Sequence, residues 1–213
     1  MLDINAHINL LVDRICDLRT GTARVLVAIA GAPGSGKSTL AAELARRLRL
    51  LKCTTEVLPM DGFHLDNAVL DARGLRPRKG APETFDADGF VHLIKRLRSG
   101  AEVIAPTFDR PRDISIAGAV VISADCDVVV VEGNYLLLDE DPWRQLAPLW
   151  DLTARLDVPL PELRARLIQR WLSANLSRAA ATRRAESNDI PNAQRVIDHA
   201  LPAQIILDGQ PRR

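Results

Sequence analysis

Runs of continuous apolar residues alternate with segments of helical periodicity along most of the chain. The run "RVLVAIAGA" at 24–32 is apolar over about seven residues, which is typical of a strand buried on both faces of a sheet. The next segment, 36–51, places Leu40, Leu44 and Leu48 on one stripe and is therefore predicted to be a helix. A strand, a glycine-rich loop and a helix in this order predict the start of a βα unit.

The same alternation continues to the end of the chain. Alternating strands and helices predict a mainly parallel sheet covered by helices on both faces, which is a three-layer α/β/α fold. Two consecutive segments rich in β-branched residues, 102–108 and 114–123, are predicted to form a local antiparallel excursion. The other predicted strands are 54–60, 126–138, 152–158 and 203–209, the other predicted helices are 3–19, 87–100, 142–150, 161–172 and 191–201, and 62–85 is predicted to be a polar loop.

Composition and charge predict one globular domain. The chain has 213 residues, 47% of them hydrophobic, which suffices for one domain with a sizeable core. Its 28 basic and 27 acidic residues give a net charge of +1, so no broad electrostatic footprint for nucleic acid or an anionic membrane is expected. No window approaches the ~18 apolar residues of a membrane span, and the amino terminus lacks the pattern of a secretory signal. We therefore expect a cytoplasmic protein without membrane insertion, and either a monomer or a homodimer is compatible with the sequence.

The three cysteines do not predict a disulfide framework or a structural zinc site. Cys16, Cys53 and Cys126 are odd in number, far apart and without a CxxC pair. We expect reduced thiols, most of them buried.

The segment "GAPGSGKS" at 31–38 fits the pattern GxxxxGK[ST] between a predicted strand and a predicted helix. Gly34 and Gly36 let the backbone wrap closely around phosphate oxygens at the positive end of the following helix. Lys37 adds a charge for the β and γ phosphates, and the Ser38 hydroxyl is a ligand for Mg²⁺. The motif therefore predicts that the chain binds ATP together with Mg²⁺. The candidate nucleotide-binding residues are Gly31, Ala32, Pro33, Gly34, Ser35, Gly36, Lys37, Ser38 and Thr39.

Other features of the sequence indicate which class of triphosphate-using protein this is. The chain has no NKxD-type guanine reader and no LSGGQ-type signature, and it is short for a motor protein. What remains favours a small kinase, which needs an acceptor site, a base near the acceptor hydroxyl, and arginines around the transferring phosphoryl group.

The stretch "MDGFHLDN" at 60–67 places Asp61 directly after a predicted strand. In open α/β sheets, ligands bind beyond the carboxyl ends of the strands, so Asp61 is predicted to lie beside bound triphosphate and to orient or deprotonate the acceptor hydroxyl. A turn formed by Asp61 with Gly62 is the alternative. His64 is expected in the acceptor pocket by its position, and a structural role stays open.

Glu132 is a second carboxylate at a strand end, after "DVVVV". Burying an unpaired charge is costly, so this residue should have a partner such as Mg²⁺, the waters of Mg²⁺, or Lys37. A salt bridge to an arginine is the alternative. Ser38 and Glu132 are therefore the candidate metal residues.

The chain resembles the uridine kinase, pantothenate kinase and phosphoribulokinase group of P-loop kinases. "GAPGSGKST", "MDGFHLDN", "FD" at 85–86 and "VVVEGNYLLL" occur in the order that this group uses, over nearly the whole chain. Within the group the chain is similar to the bacterial subgroup labelled fructose transport system kinase, which resembles pantothenate kinase through "RKGAPETFD" and "VIAPTFDR". The resemblance implies a single P-loop kinase domain over 1–213, with a small arginine-rich lid at about 172–190.

The resemblance also implies roles for individual carboxylates. The base of the group corresponds to Asp61, an acid that contacts acceptor hydroxyls corresponds to Asp86, and Glu132 serves the Mg²⁺ end. From the residues alone, Asp86 could equally cap the following helix. Phe108 and Tyr135 either pack against an acceptor or fill the core.

Several arginines are candidates for the transferring phosphoryl group. Arg166 and Arg170 lie one turn apart on a predicted helix, and Arg170 lies near its apolar stripe, which lets the guanidinium reach inward. The resemblance implies a lid that closes over the phosphates, with Arg170 as the first candidate and Arg166 as the next. A solvated surface position is the alternative for each arginine. The further candidates are Arg178, Arg183 and Arg184.

Together these features predict an ATP- and Mg²⁺-dependent kinase that transfers the γ-phosphoryl group to a hydroxyl of a small metabolite. "PTFDRPRD" lacks the tyrosine and histidine pattern that uridine kinases carry for the base, and the subgroup label implies a carbohydrate kinase with a sugar acceptor such as fructose. A nucleoside or a pantothenate-like acceptor stays open. A protein of another class, an ATP-binding regulator or slow ATPase attached to a transport system, also stays open.

Overall fold

The secondary structure of the described residues, 4–21 and 23–208 of a computed structural model, alternates between strands and helices as the sequence predicts. Position 3 of the first predicted helix and position 209 of the last predicted strand lie outside the described residues. The strands are β1 (Val25–Gly31), β2 (Thr55–Pro59), β3 (Val103–Asp109), β4 (Ile114–Ile122), β5 (Val128–Gly133), β6 (Leu152–Asp157) and β7 (Ile205–Asp208). The α-helices are α1 (Ile4–Leu18), α2 (Lys37–Leu50), α3 (Asn67–Ala72), α4 (Ala87–Arg98), α5 (Leu160–Ser173), α6 (Arg178–Arg184) and α7 (Ile190–Asp198). Short 3₁₀ helices span Met60–Phe63, Arg76–Arg78, Pro82–Thr84 and Trp143–Leu149, and Ala185–Asp189 forms a π-helical turn.

Five parallel strands form the central sheet, in the order β2-β5-β1-β6-β7. Strands β1 and β5 are buried along their whole length because helices cover both faces. Successive side chains of β1 alternate between two cores: Val27 and Ile29 face α1 and α2, whereas Leu26 and Ala28 face α4 and α5. The predicted three-layer α/β/α fold is confirmed.

Strands β3 and β4 pair only with each other among the described residues and form an antiparallel hairpin apart from the main sheet. This confirms the predicted local excursion. The hairpin packs directly on the 3₁₀ helix that follows β2, because a Cβ at Gly62 would lie 2.6 Å from the carbonyl oxygen of Pro106. Its tip, residues 110–113, thereby reaches the carboxyl end of the parallel sheet.

Two segments differ from the predictions. The predicted polar loop 62–85 contains α3, which forms because the Asp66 side chain accepts a hydrogen bond from the backbone N–H of Ala68 and caps the helix. The predicted strand 126–138 stops at Gly133. The apolar residues after it are buried as core without joining the sheet, and apolar content alone does not distinguish these two environments.

The structure also bears on membranes and on thiol chemistry. Among the described residues, none of the helices has the length and apolar character that crossing a membrane requires. Cys53 and Cys126 are buried free thiols whose pKa values are raised by burial, and Cys16 is an exposed free thiol. The cysteines are therefore unpaired, as the sequence predicts.

Candidate active site

The glycine-rich segment 31–38 wraps around the amino terminus of α2. Gly34 and Gly36 have φ values of 80° and 97°, in the left-handed region that favours glycine. Gly36 is the N-cap of α2 and offers no side chain to the helix, so the first N–H groups of this helix are available to a ligand. Such N–H groups at the positive end of a helix form a binding site for phosphate.

Arg166 holds this loop from the side of α5. Its Nη1 donates to the carbonyl oxygens of Ser35 at 3.2 Å and Gly34 at 3.4 Å, and its Nε donates to Glu162 Oε1 at 2.9 Å. Leu167, the next residue of α5, lies 3.3 Å from the position of a Cβ at Gly34. Arg166 does not line the cleft described below. The structure brings Arg166 to the phosphate loop, and its contact with a phosphoryl group stays a prediction.

Ser38 and Glu132 lie together at the proposed metal end. Ser38 Oγ donates to Glu132 Oε1 at 3.0 Å, across the gap between α2 and β5. Burial raises the pKa of Glu132, which is only 6% exposed, and the charge of Lys37 opposes that effect. Mg²⁺ bound with phosphates needs only one or two oxygen ligands from the protein, so this hydroxyl and this carboxylate fit it.

Lys37 lies beside these two residues at the first position of α2. Burial lowers its pKa, and the carboxylates of Glu132 and Asp61 partly offset that effect. The ammonium group is therefore close enough to both Glu132 and Asp61 for their charges to act on it.

A cleft of about 460 Å³ opens beside the phosphate loop. Its walls come from the loop, the turn after β2, the tip of the β3–β4 hairpin, and the helices from α5 to α7. Ser38 and Thr39 are exposed on the first turn of α2, outside this lining. The predicted residues that line the cleft are Pro33, Gly34, Lys37, Asp61, His64, Phe108, Arg170 and Arg184.

Asp61 lies on the 3₁₀ helix Met60–Phe63, directly after β2. Its Oδ2 accepts a hydrogen bond from Arg110 Nη2 at 2.5 Å. The pKa of Asp61 lies below its usual value: burial acts to raise it, but nearby positive charges outweigh burial. These charges belong to His64, Arg110, Lys37 and Arg170.

His64 forms part of an aromatic wall of the cleft. Its ring lies 4.0 Å from the ring of Phe85 and 4.6 Å from that of Phe108, and its Nδ1 donates to the backbone carbonyl of Asp61 at 2.8 Å. Burial lowers the pKa of His64, and the charge of Asp61 opposes that effect. His64 and Asp61 therefore lie close enough for each to affect the pKa of the other.

Two predicted acceptor contacts lie away from the cleft. Tyr135 is fully buried, and its hydroxyl donates to the carbonyl oxygen of Gly80 at 2.5 Å, so it packs in the core beneath the cleft. Asp86 is exposed and caps α4, because its Oδ1 accepts from the N–H of Gly89 at 2.9 Å. Neither residue lines the cleft, so the structure favours the core and capping alternatives for these two positions.

The arginine-rich segment closes one end of the cleft. Arg170 and Arg184 both lie over the ring of Trp171, at 5.6 Å and 5.3 Å, and Trp171 Nε1 donates to Asp189 Oδ2 at 2.5 Å. Arg170 and Arg184 line the cleft, whereas Arg178 and Arg183 are exposed outside it.

Sequence reasoning missed several residues of the cleft. Asn134 comes two residues after Glu132 at the carboxyl end of β5, so the strand-end rule that selected Asp61 would also have selected it. Its Oδ1 is buried without a hydrogen-bond partner among the described residues. Arg110 and Lys79 do not follow a strand of the parallel sheet, and the folded hairpin and loop bring them to the cleft. The other missed lining residues are Arg76, Gly80, Asp113, Trp171, Ala174, Asp189 and Asn192.

Known proteins resemble this chain in sequence and in structure. The model of the Phosphoribulokinase / Uridine kinase family matches residues 26–183. The Escherichia coli K12 protein YggC is 37% identical over 188 residues, which cover 87% of this chain and 78% of that protein. "Putative uridine kinase C227.14" of Schizosaccharomyces pombe is 35% identical over 210 residues, which cover 92% of this chain and 88% of that protein. A crystal structure described as a "putative fructose transport system kinase" from Silicibacter sp. TM1040 aligns with a TM-score of 0.89 and 48% identity, over 97% of this chain and 99% of that one.

Proposed function

Because the chain belongs to the phosphoribulokinase/uridine kinase family, we propose that it is an ATP- and Mg²⁺-dependent kinase that phosphorylates a hydroxyl of a small metabolite. The observation that carries the proposal is the position of the Asp61 carboxylate, in one cleft with Lys37 and beside the glycine-rich loop. A phosphate cradle next to an ionised carboxylate is the arrangement that phosphoryl transfer to an alcohol needs.

The loop and α2 bind the donor. Backbone N–H groups of 31–38 hold the phosphates, and Lys37 neutralises charge on the β and γ phosphates. Ser38 and Glu132 would hold Mg²⁺, which supplies further charge neutralisation between the phosphates when it is bound. Arg166 keeps the loop in shape through its two carbonyl contacts.

Asp61 acts on the acceptor. Its carboxylate accepts a hydrogen bond from the acceptor hydroxyl and takes the proton as the new bond between that oxygen and the γ-phosphorus forms. The bond between the γ-phosphorus and the bridging oxygen of ADP breaks in the same displacement. Because the pKa of Asp61 is low, the carboxylate is ionised near neutral pH and orients the hydroxyl before it takes the proton late.

Arg170 is the second cation that acts on the phosphoryl group, after Lys37. It lines the cleft near Asp61, and its guanidinium can spread the charge that develops on the equatorial oxygens. Arg184 stacks on the same tryptophan and supports that end of the cleft.

For the acceptor we propose a sugar such as fructose. The cleft combines an aromatic face, formed by His64 and Phe108, with the polar groups of Lys79 and Asn134. An apolar face with a few convergent polar groups suits a polyhydroxylated ligand of small size. The name of the Silicibacter structure points the same way.

The test is acceptor-dependent release of ADP from the full-length protein with MgATP. A panel of sugars, nucleosides and vitamins is supplied one compound at a time, and the rate is compared with the background without acceptor. We expect a sugar to raise the rate well above background. A nucleoside or pantothenate that does so instead would correct the acceptor class, and a panel without any stimulation would favour a regulator or slow ATPase.

A further inference from the structure

Arg110 lines the cleft, although the sequence analysis assigns it no role. It is the first residue after β3, at the tip of the β3–β4 hairpin. Its side chain is 56% exposed and lines the cleft, with Nη2 at 2.5 Å from Asp61 Oδ2. An exposed arginine with this contact is close enough to take part in whatever Asp61 does.

The hairpin that carries Arg110 is fixed against the catalytic turn. A Cβ at Gly62 would meet the Pro106 carbonyl at 2.6 Å, so the two backbones touch. On the other strand, Ser115 Oγ donates to the carbonyl oxygen of His64 at 2.8 Å. At the tip, Lys79 Nζ lies 3.0 Å from Asp113 Oδ1. Arg110 therefore extends from a held element, as a positioned functional group must.

Arg112 provides a comparison on the same tip. It is 62% exposed, like Arg110, but it pairs with Asp109 at 2.7 Å and does not line the cleft. Two arginines of one turn thus have different surroundings, and only Arg110 points its charge at the site.

The cleft carries more cations than carboxylates. Its lining includes three carboxylates, Asp61, Asp113 and Asp189, and six cationic side chains, Lys37, Arg76, Lys79, Arg110, Arg170 and Arg184. Burial lowers the pKa of Lys37 and of Arg170, and the charge of Arg110 adds to both effects. Mutual repulsion of three cations is relieved by an anion between them, and in a kinase that anion is the phosphoryl group in transfer.

We infer that Arg110 is a catalytic residue whose guanidinium binds the transferring phosphoryl group while it holds Asp61 beside that group. This inference rests on the proposed kinase function. A guanidinium has five N–H donors and the bond to Asp61 uses one, so others are available for phosphoryl oxygens. Asp61 Oδ1 has no hydrogen bond within the described residues and is available for the acceptor hydroxyl.

The step balances without a further reactant. The acceptor oxygen forms its bond to the γ-phosphorus, the bond from that phosphorus to the bridging oxygen of ADP breaks, and the hydroxyl proton passes to Asp61. Arg110 takes no proton and neutralises charge on the phosphoryl oxygens.

The test compares Arg110→Gln with Arg112→Gln as the matched control. Dissociation constants are measured calorimetrically for Mg²⁺ with ADP and for Mg²⁺ with the non-hydrolysable analogue AMPPNP, which carries a γ-phosphate. We expect Arg110→Gln to lose about tenfold or more of the preference for the triphosphate, because a charged hydrogen bond to the γ-phosphate is lost. Arg112→Gln should keep the preference of the wild type. Arg110→Lys, which keeps the charge without the fork, should lie between them.

Three results would overturn the inference. A preference that survives Arg110→Gln in a protein with a wild-type melting curve removes Arg110 from the phosphoryl group. An unchanged preference with a raised KM for the acceptor would assign Arg110 to an anionic group on that acceptor instead. Absence of nucleotide binding by the wild type is a different outcome, because it would remove the proposed function together with the inference.

Discussion

The two walls of the cleft are built in different ways. The donor wall is the contiguous segment 31–38, and it works through backbone N–H groups and one lysine. The proposed acceptor wall consists of side chains from three separate segments of the chain, His64, Lys79 and Phe108.

The difference in construction predicts a difference in tolerance. Donor groups depend on local backbone geometry, such as the left-handed φ of Gly34 and Gly36, and bind a ligand common to all triphosphate users. Acceptor groups depend on long-range packing, such as the ion pair between Lys79 and Asp113. Such groups can differ between proteins of one fold that bind different ligands. Substitutions on the two walls should therefore separate nucleotide binding from acceptor chemistry.

The largest effect on turnover is expected for Asp61, which lies where the donor wall and the acceptor wall meet. Asp61→Asn keeps the shape of the side chain but removes the charge that orients the hydroxyl and accepts its proton. Acceptor-dependent turnover should fall by roughly 10²- to 10⁴-fold, while ATP binding measured by calorimetry stays close to that of the wild type. Unchanged turnover would remove Asp61 from the mechanism.

On the donor wall, Lys37→Met should lower kcat/KM by roughly 10²- to 10³-fold, because the charge on the β and γ phosphates is lost. Binding of ATP should weaken in parallel. Lys79→Met is the comparison on the acceptor wall, and it should weaken ATP binding much less than Lys37→Met does while the KM for the acceptor rises. If both lysine variants weakened ATP binding equally, the two walls would not be separate.

Glu132→Gln should raise the Mg²⁺ concentration needed for half-maximal activity by about tenfold. The amide keeps an oxygen for Ser38 but loses the negative charge that attracts the cation. Titration of activity with MgCl₂ at saturating ATP measures the effect. An unchanged Mg²⁺ requirement would reassign Glu132 to a structural pairing with Lys37.

The pH dependence should reveal the cation next to the base. Arg110→Gln removes one of the charges that lower the pKa of Asp61. The other titratable groups that face Asp61 stay in place, and these are His64, Lys37, Arg170 and Glu132. The pKa should rise, and because activity requires ionised Asp61, the acid limb of kcat against pH should move to higher pH. The limb should stay in place in Arg112→Gln.

The smallest effect is expected at Asp86. Asp86→Ala removes the N-cap of α4 and should lower the free energy of unfolding by about 1 kcal/mol, measured by denaturant titration. Acceptor kinetics should be unchanged because Asp86 lies outside the cleft. Asp66→Ala, which removes the N-cap of α3, is the matched control. A large rise of KM in Asp86→Ala alone would restore the acceptor contact that the family resemblance implies.

The same contrast explains how much of the fold could be predicted. Strand β1 and helix α2 could be predicted because each has a local pattern in the sequence. The pattern of β1 is a continuous apolar run, and that of α2 is a stripe of leucines. The end of β5 could not be predicted. The residues after Gly133 are as apolar as those of the strand, but they are buried in the core without joining the sheet. Helix α3 was missed because its cap, Asp66, lies in a segment of polar residues.

The candidate site divides along the same line. The phosphate loop follows from a contiguous motif, and Asp61 follows from the strand-end rule. Arg110 could not be predicted, because its partner is 49 residues away and the contact depends on how the hairpin packs. Asp86 shows the opposite case, because the family resemblance implies an acceptor contact and the local hydrogen bond shows a helix cap.

The central claim is that this cleft moves a phosphoryl group from ATP to a hydroxyl. Transfer of ³²P from [γ-³²P]ATP to a metabolite, measured side by side in the wild type and in Asp61→Asn, tests it most directly. We predict a labelled phosphate ester of the acceptor with the wild type, and a loss of roughly 10²-fold or more with Asp61→Asn. Label that appears only in inorganic phosphate, at equal rates in both proteins, would contradict the claim.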